Sequence, residues 1–165
     1  MIQGRAWRFG DHINTDLIIA GRYLDDYSPK NLALHVMEDA DPEFPKKVRP
    51  GDIIVAGRNF GCGSSREQAP LAIKYSGISA IVASSFARIF YRNAINIGLP
   101  VIVCPKAPTE LQAGDELRID LEKGEIMNLS KGSKLTFKPL PKSLREILDE
   151  GGLVPYTRRR MQGQG

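Results

Sequence analysis

The densest set of groups able to do chemistry is Gly61-Cys62-Gly63-Ser64-Ser65-Arg66-Glu67: two glycines around a thiol, two adjacent hydroxyls, a guanidinium and a carboxylate. It lies between an apolar stretch ending at Ala56-Gly57 and an amphipathic stretch that begins near Arg66 or Glu67. Open parallel sheets bind ligands beyond the carboxyl ends of their strands. A helix N-terminus adds unpaired amides at the positive end of a dipole. Glycines let the backbone approach a ligand closely, and a guanidinium can grip a carboxylate or phosphate through two parallel bonds. Together these residues describe an anion site with a serine hydroxyl over the ligand. They describe equally well a turn followed by a helix cap, with Ser65 as N-cap answered by Glu67 or Gln68. A nucleotide site fits less well. The loop lacks the Gly-Lys-Ser/Thr ending of a P-loop, and Gly61-Cys62-Gly63 does not continue into a dinucleotide fingerprint.

The flanking segments read as an α/β domain. In the first sixty residues, Ala6-Trp7-Arg8-Phe9 and Leu17-Ile18-Ile19-Ala20 are strand-like pieces. Between them and the middle third, Ser28-Pro29 predicts an N-cap and first turn for a helix over about 29–38. Its buried side is expected to carry Leu32, Val36 and either Leu34 or His35. Asp52 to Ala56, Ile78 to Ala83 and Leu99 to Cys104 are short, nearly continuous apolar runs, as expected of strands covered on both faces. Helices near 66–76 and 86–97 separate them, closed by Gly77 and Gly98. Pro70 fits only near the start of its helix. This alternation predicts a mostly parallel sheet with right-handed crossovers. Residues 116–121, 126–129 and 134–137 then form an antiparallel meander, and a helix over 141–150 closes the fold. No repeat or linker divides the chain, so residues 1–165 are expected to be one domain, with 157–165 a flexible basic tail.

Composition removes several function classes. A chain of 165 residues with 42% apolar and 25% charged residues suits a soluble globular domain. No apolar run is long enough for a membrane span. Met1 to Trp7 lacks the layout of a secretory signal, so cytoplasm is the expected compartment. The net charge of +4 comes partly from Arg158-Arg159-Arg160. A short terminal run of that kind is more often a solvated end or a partner contact than a nucleic-acid site. No helix-turn-helix, zinc spacing or aromatic-basic sheet motif accompanies it. Cys62 and Cys104 cannot form a disulfide framework or a four-cysteine centre, and His12 and His35 add little, so no metal ligand is assigned.

Three blocks, in order, resemble the mobile swivel domain of the aconitase superfamily. Asn59-Phe60 through Glu67 is similar to its signature loop, and Ser84-Ser85-Phe86-Ala87-Arg88-Ile89-Phe90 with Arg92-Asn93 to a second block. Asp11 to Asp16, with Asn14-Thr15-Asp16, resembles a third. The likeness runs from Gly4 to about Tyr156. It implies a three-layer β/β/α fold and one half of a two-subunit hydro-lyase. A separate large subunit would hold a [4Fe-4S] cluster and use one open iron as Lewis acid on the departing hydroxyl. Without that subunit, a homo-oligomer of this chain is a further expectation.

By that resemblance Ser64 is the catalytic base, Ser65 and Arg66 bind a substrate carboxylate, and Gly61, Cys62, Gly63 and Glu67 support them. Thr15 and Asp16 shape the rim of the site or simply close an Asx-type turn. Arg88 is expected to support the site by pairing with a carboxylate or backbone group in the interior. Arg92-Asn93, one turn further on, can be plain surface. Cys62 is a small packed residue or a reactive thiol, and Cys104 is core. The implied reaction dehydrates and rehydrates a 2-hydroxy dicarboxylate such as 2-isopropylmalate. The segment over the substrate's variable group is expected at Arg22, Tyr23, Leu24, Asp25 and Asp26. Asp25-Asp26 would repel a third carboxylate and favour an apolar substituent, unless Arg22 points inward. Citramalate and dimethylmalate remain alternatives, as does homocitrate; the alternative of a different class is a non-catalytic anion- or RNA-binding module using the Gly61 loop and the Arg158 to Arg160 tail.

Overall fold

β2 (Ile53–Ala56) and β3 (Ala80–Ala83) are buried at every position, as their continuous apolar character requires. They pair in parallel, Ile53 opposite Ala80 and Ala56 opposite Ala83. β4 (Val101–Val103) extends the parallel set beyond β3. β1 (Ile2–Arg8) does double duty. Its second half, Ala6 to Arg8, runs parallel to β2, while its first half, Ile2 to Arg5, pairs antiparallel with β5 (Glu116–Asp120). β6 (Glu125–Asn128) and β7 (Ser133–Thr136) complete the meander, and the strand order is β4-β3-β2-β1-β5-β6-β7. The computed structural model describes residues 1–163.

Strand alternation divides the interior into two cores, giving the expected three layers. Ile54, Ala56, Ile81, Ala83 and Val101 face the helices, among them Leu32, Ile73 and Phe90. Ile53, Val55, Ala80, Val82 and Ile102 face the other way, where the curled meander presents Leu117, Ile119, Ile126 and Leu135. Cys104 lies in this second core, as expected.

The helical side departs from the sequence reading in several places. Leu17 to Ala20 is not a strand: α1 (Thr15–Ile18) begins there because the Asn14 side chain accepts the Leu17 amide at 2.8 Å. Its short apolar run has no periodicity to distinguish the two. A 3-10 turn follows at Gly21–Tyr23. α2 (Pro29–His35) has the expected Ser28 cap, with Asn31 N donating to Ser28 Oγ at 3.2 Å. Leu32 and Val36 are buried, but Leu34 is exposed. α3 (Phe44–Lys47) plugs the core with Phe44. α4 (Gln68–Tyr75) starts at Gln68, so Ser65 is not its cap and Glu67 takes that position without a side-chain bond. Pro70 is its third residue, where an amide has no intrahelical acceptor.

α5 (Arg88–Asn96) leads from β3 to β4, and α6 (Ala107–Glu110) packs on the meander side of β2 and β3. α7 (Lys142–Asp149) and α8 (Leu153–Gln162) close the helical layer against α5. The expected flexible tail is therefore helical from 157 through Gln162, with Arg159 paired to Glu150 and Arg160 bonded to the Tyr156 hydroxyl. Gln164 and Gly165 lie outside the described residues. Among the described residues, no helix is long and apolar enough to cross a membrane.

Candidate active site

β1, β2 and β3 are parallel neighbours, so the segments that leave their carboxyl ends emerge side by side. These segments are the three sequence blocks. Backbone bonds lace the first two together: His12 N to Arg58 O at 2.7 Å, Gly61 N to Ile13 O at 2.7 Å and Thr15 N to Cys62 O at 2.9 Å. The third joins through Phe60 N to Ser85 O at 3.1 Å and Ala87 N to Phe60 O at 2.9 Å. Asp11 accepts the Arg58 amide at 2.7 Å. It fills the space a side chain at Gly57 would need, since a Cβ there would fall 1.8 Å from Asp11 Oδ1. Asn59 holds a left-handed φ of 59° while its amide donates to Ser85 Oγ at 2.8 Å.

Gly61 sets the loop against α5. Its φ is +82°, and an added Cβ would stand 2.2 Å from Cγ of Phe90. Only glycine permits both the conformation and the approach. The junction encloses a cleft of about 420 Å³. Thr15, Ser65 and Arg66 line it from the loops, and Arg88, Ile89, Phe90, Arg92 and Asn93 from α5. Thr15 Oγ1 donates to the Ser64 carbonyl at 2.7 Å, which fixes the backbone under the exposed Ser64 and Ser65 side chains. Arg66 spends Nη1 on Asp16 Oδ1 at 3.0 Å and Ile19 O at 2.9 Å. The Arg66 bond, then the Gly21 amide, hold the Asp16 carboxyl below the usual carboxylate range.

This arrangement has relatives. Residues 13–106 match the model of the aconitase C-terminal domain. The 3-isopropylmalate dehydratase small subunit of Thermodesulfovibrio yellowstonii is 58% identical across 97% of this chain and 95% of its own. The chain belongs to the aconitase C-terminal domain family. Within it, the isopropylmalate/citramalate isomerase small subunit of Methanocaldococcus jannaschii is 56% identical, over 98% of this chain and 96% of the relative. The methanogen homoaconitase small subunit of Methanothermobacter thermautotrophicus is 61% identical, over 94% and 90%. A crystal structure titled as 3-isopropylmalate dehydratase from Methanocaldococcus jannaschii superposes with a TM-score of 0.94 at 53% identity. It covers 99% of this chain and 96% of that one.

The aconitase-type loop gathers most of the residues singled out in the sequence, though not all in the expected roles. Thr15, Asp16, Gly61, Gly63, Ser65 and Arg66 meet at or beside the cleft. Ser64 is exposed on the same loop, Cys62 is half-buried behind it, and Glu67 is exposed at the start of α4. Arg88 differs from expectation: it is exposed on the cleft wall rather than paired in the interior. Arg92 and Asn93, read as plain surface, line the same wall. Their signal was available in the four-residue spacing of Arg88 and Arg92, which puts both on one helical face.

Residues 22–26 do not line the cleft. Arg22 points away, pairing with Asp39 at 2.9 Å and Glu38 at 3.5 Å and lying over the Tyr23 ring. Tyr23 stacks on His35 with ring centroids 3.6 Å apart, and Leu24 packs on the helical core. Asp26 accepts the Ser28 amide at 2.9 Å, while Asp25 is exposed. The expected substrate-covering role of Arg22, Tyr23, Leu24, Asp25 and Asp26 therefore has no counterpart in the cleft lining, and Arg22 is committed to Asp39 and Glu38.

Proposed function

We propose that this chain is the substrate-closing subunit of a hydro-lyase that interconverts 2-isopropylmalate and 3-isopropylmalate through isopropylmaleate. The observation that carries the reading is the cleft lined by Ser65 and Arg66 of the family's loop together with Arg88 and Arg92 of α5. Arg66, immobilised by Asp16 and the Ile19 carbonyl, is set to hold one carboxylate with its remaining N–H groups. Ser64 takes the proton from the substrate carbon as the neighbouring C–O bond breaks. It returns that proton when water adds back in the opposite sense. A serine hydroxyl serves as base only where positive charge stabilises its alkoxide and water is excluded. Arg66 and the amides at the start of α4 are suited to supply the first. The second requires a partner to cover the open side.

That partner is a large subunit, as the small-subunit names of the relatives suggest. Among the described residues, no three His, Cys, Asp or Glu side chains are grouped as metal ligands. Burial in the second core pushes the Cys104 thiol up, and Cys62 stands alone in the loop. These residues do not fit an iron–sulfur cluster; the [4Fe-4S] cluster that the resemblance implies would sit on the partner and would supply Lewis-acid activation of the hydroxyl.

Names among the relatives also support a second reading, a citramalate or homoaconitate substrate. Asp25 and Asp26 lie outside the cleft lining, so the choice of isopropylmalate rests on the greater number of relatives that carry that name. The test reconstitutes the chain with a cluster-bearing large subunit and compares turnover on isopropylmalate, citramalate and homocitrate. Isopropylmalate is expected to give the highest kcat/KM. Tight RNA binding with no turnover in any such complex would overturn the enzyme reading.

A further inference from the structure

We infer that Arg92, acting with Arg88, is an anchor for the second carboxylate of the substrate. This rests on the dehydratase reading above and adds a pair of binding residues to it. Both arginines belong to the first five positions of α5, one turn apart, and both line the cleft that Ser65 and Arg66 of the loop also line. Their charges are not balanced in the way Arg66 is. Arg66 is paired with Asp16 at 3.0 Å. Among the described residues, neither Arg88 nor Arg92 has a carboxylate within ion-pair distance.

Folding by itself disfavours this placement. Cations in the first turns oppose the helix dipole, and like charges four residues apart repel each other. α5 has no acidic residue in its first turn to relieve either effect. An anion held in the cleft reverses the sign of both. The local rule is broken where a ligand would restore it, which is how binding sites commonly depart from sequence rules. Arg66, with Nη1 already committed, can serve one carboxylate. A 2-hydroxy dicarboxylate brings two, and Arg88 and Arg92 supply the matching second fork. Ile89, exposed at 57% and also lining the cleft, gives the short alkyl substituent an apolar surface.

The test uses the complex reconstituted with its large subunit, comparing wild type with R88Q, R92Q and R92K. Losing one charge-assisted bond should raise KM for isopropylmalate by about 10- to 100-fold while kcat stays within a few-fold. R92K should fall between wild type and R92Q, because lysine keeps the charge without the planar fork. Inhibition by maleate and by its monoamide gives a second readout. Wild type should favour the dianion, and R92Q should lose most of that preference, an effect that a merely structural role would not produce. An unchanged KM and unchanged preference overturn the assignment. So does a loss of activity that tracks weaker co-purification with the large subunit, since the arginines would then be subunit contacts. A wild-type complex that turns over no dicarboxylate overturns the parent reading and this one together, whereas an active wild type with indifferent variants overturns only this one.

Discussion

At the scale of single residues, the site depends on groups that are held by others. Ser64 is exposed, and its carbonyl rather than its hydroxyl is tied down by Thr15. Ser64→Ala should therefore leave the thermal midpoint unchanged and lower kcat of the assembled enzyme by about 100- to 10 000-fold, the span of a lost general base. Activity near wild type would remove Ser64 from that role. Asp16 acts through Arg66. Its folded-state pKa lies below the unfolded value, so the pair persists above the usual carboxylate range and is lost as pH falls through the folded value. Asp16→Asn should raise KM at neutral pH and flatten the acid-side loss of substrate affinity. A KM that matches wild type at every pH would show that Arg66 needs no such anchor.

At the scale of elements, two glycines of one loop should answer differently to the same change. Gly61 and Gly63 both have positive φ, +82° and +93°. A Cβ at Gly61 strikes the Phe90 ring, whereas at Gly63 the nearest atom is 3.6 Å away. Gly63→Ala should cost about 1 kcal/mol, the backbone strain alone. Gly61→Ala adds overpacking against α5 and should cost about 2–4 kcal/mol in all, read from denaturant midpoints at constant m. Equal costs would mean that the loop can lift away from α5, and the cleft would then have no fixed far wall. The same scale explains α1. Asn14 caps it, and Ile18 is fully buried, so a four-residue helix persists where its sequence offers no helical period.

At the scale of the molecule, β1 joins the two halves of the sheet, and a polar cluster at the turn before β5 ties the meander together. Buried Asp115 accepts the Gln112 amide at 2.9 Å and Asn128 Nδ2 at 2.8 Å, with Lys131 at 3.5 Å. Burial alone would push its carboxyl up. The Gln112 amide, Asn128 and Lys131 more than reverse this and hold it below the usual range. Its contribution is thus fully present above about pH 4 and disappears as pH falls through the folded value. Asp115→Asn should destabilise the fold by about 1–3 kcal/mol at neutral pH. The gap from wild type should close in acid; a gap that is constant with pH would show that the charge does not matter.

The amino-acid order alone determined the strands of the middle third, the meander, the Ser28 cap and the identity of the loop at 61–67. Each follows from local information: apolar run length, period-two alternation, a hydroxyl before proline, and a dense cluster of reactive types. Local information could not separate a cap from an anion site at Ser65, nor a strand from a helix at Leu17 to Ala20. Tertiary placement removes the cap, since α4 starts at Gln68 with Glu67 before it, and makes Leu17 and Ile18 helical. Parallel pairing of β1, β2 and β3 brings three distant blocks to one sheet edge. The Phe90 ring behind Gly61 then turns the exposed first turn of α5 into a cleft wall. Arg22 and Arg92 exchange their expected standing for the same reason. Arg22 finds Asp39 and Glu38 and leaves the site, while Arg92 finds no carboxylate and faces it. A guanidinium's partner is set by tertiary distance, and no spacing within one segment reveals it.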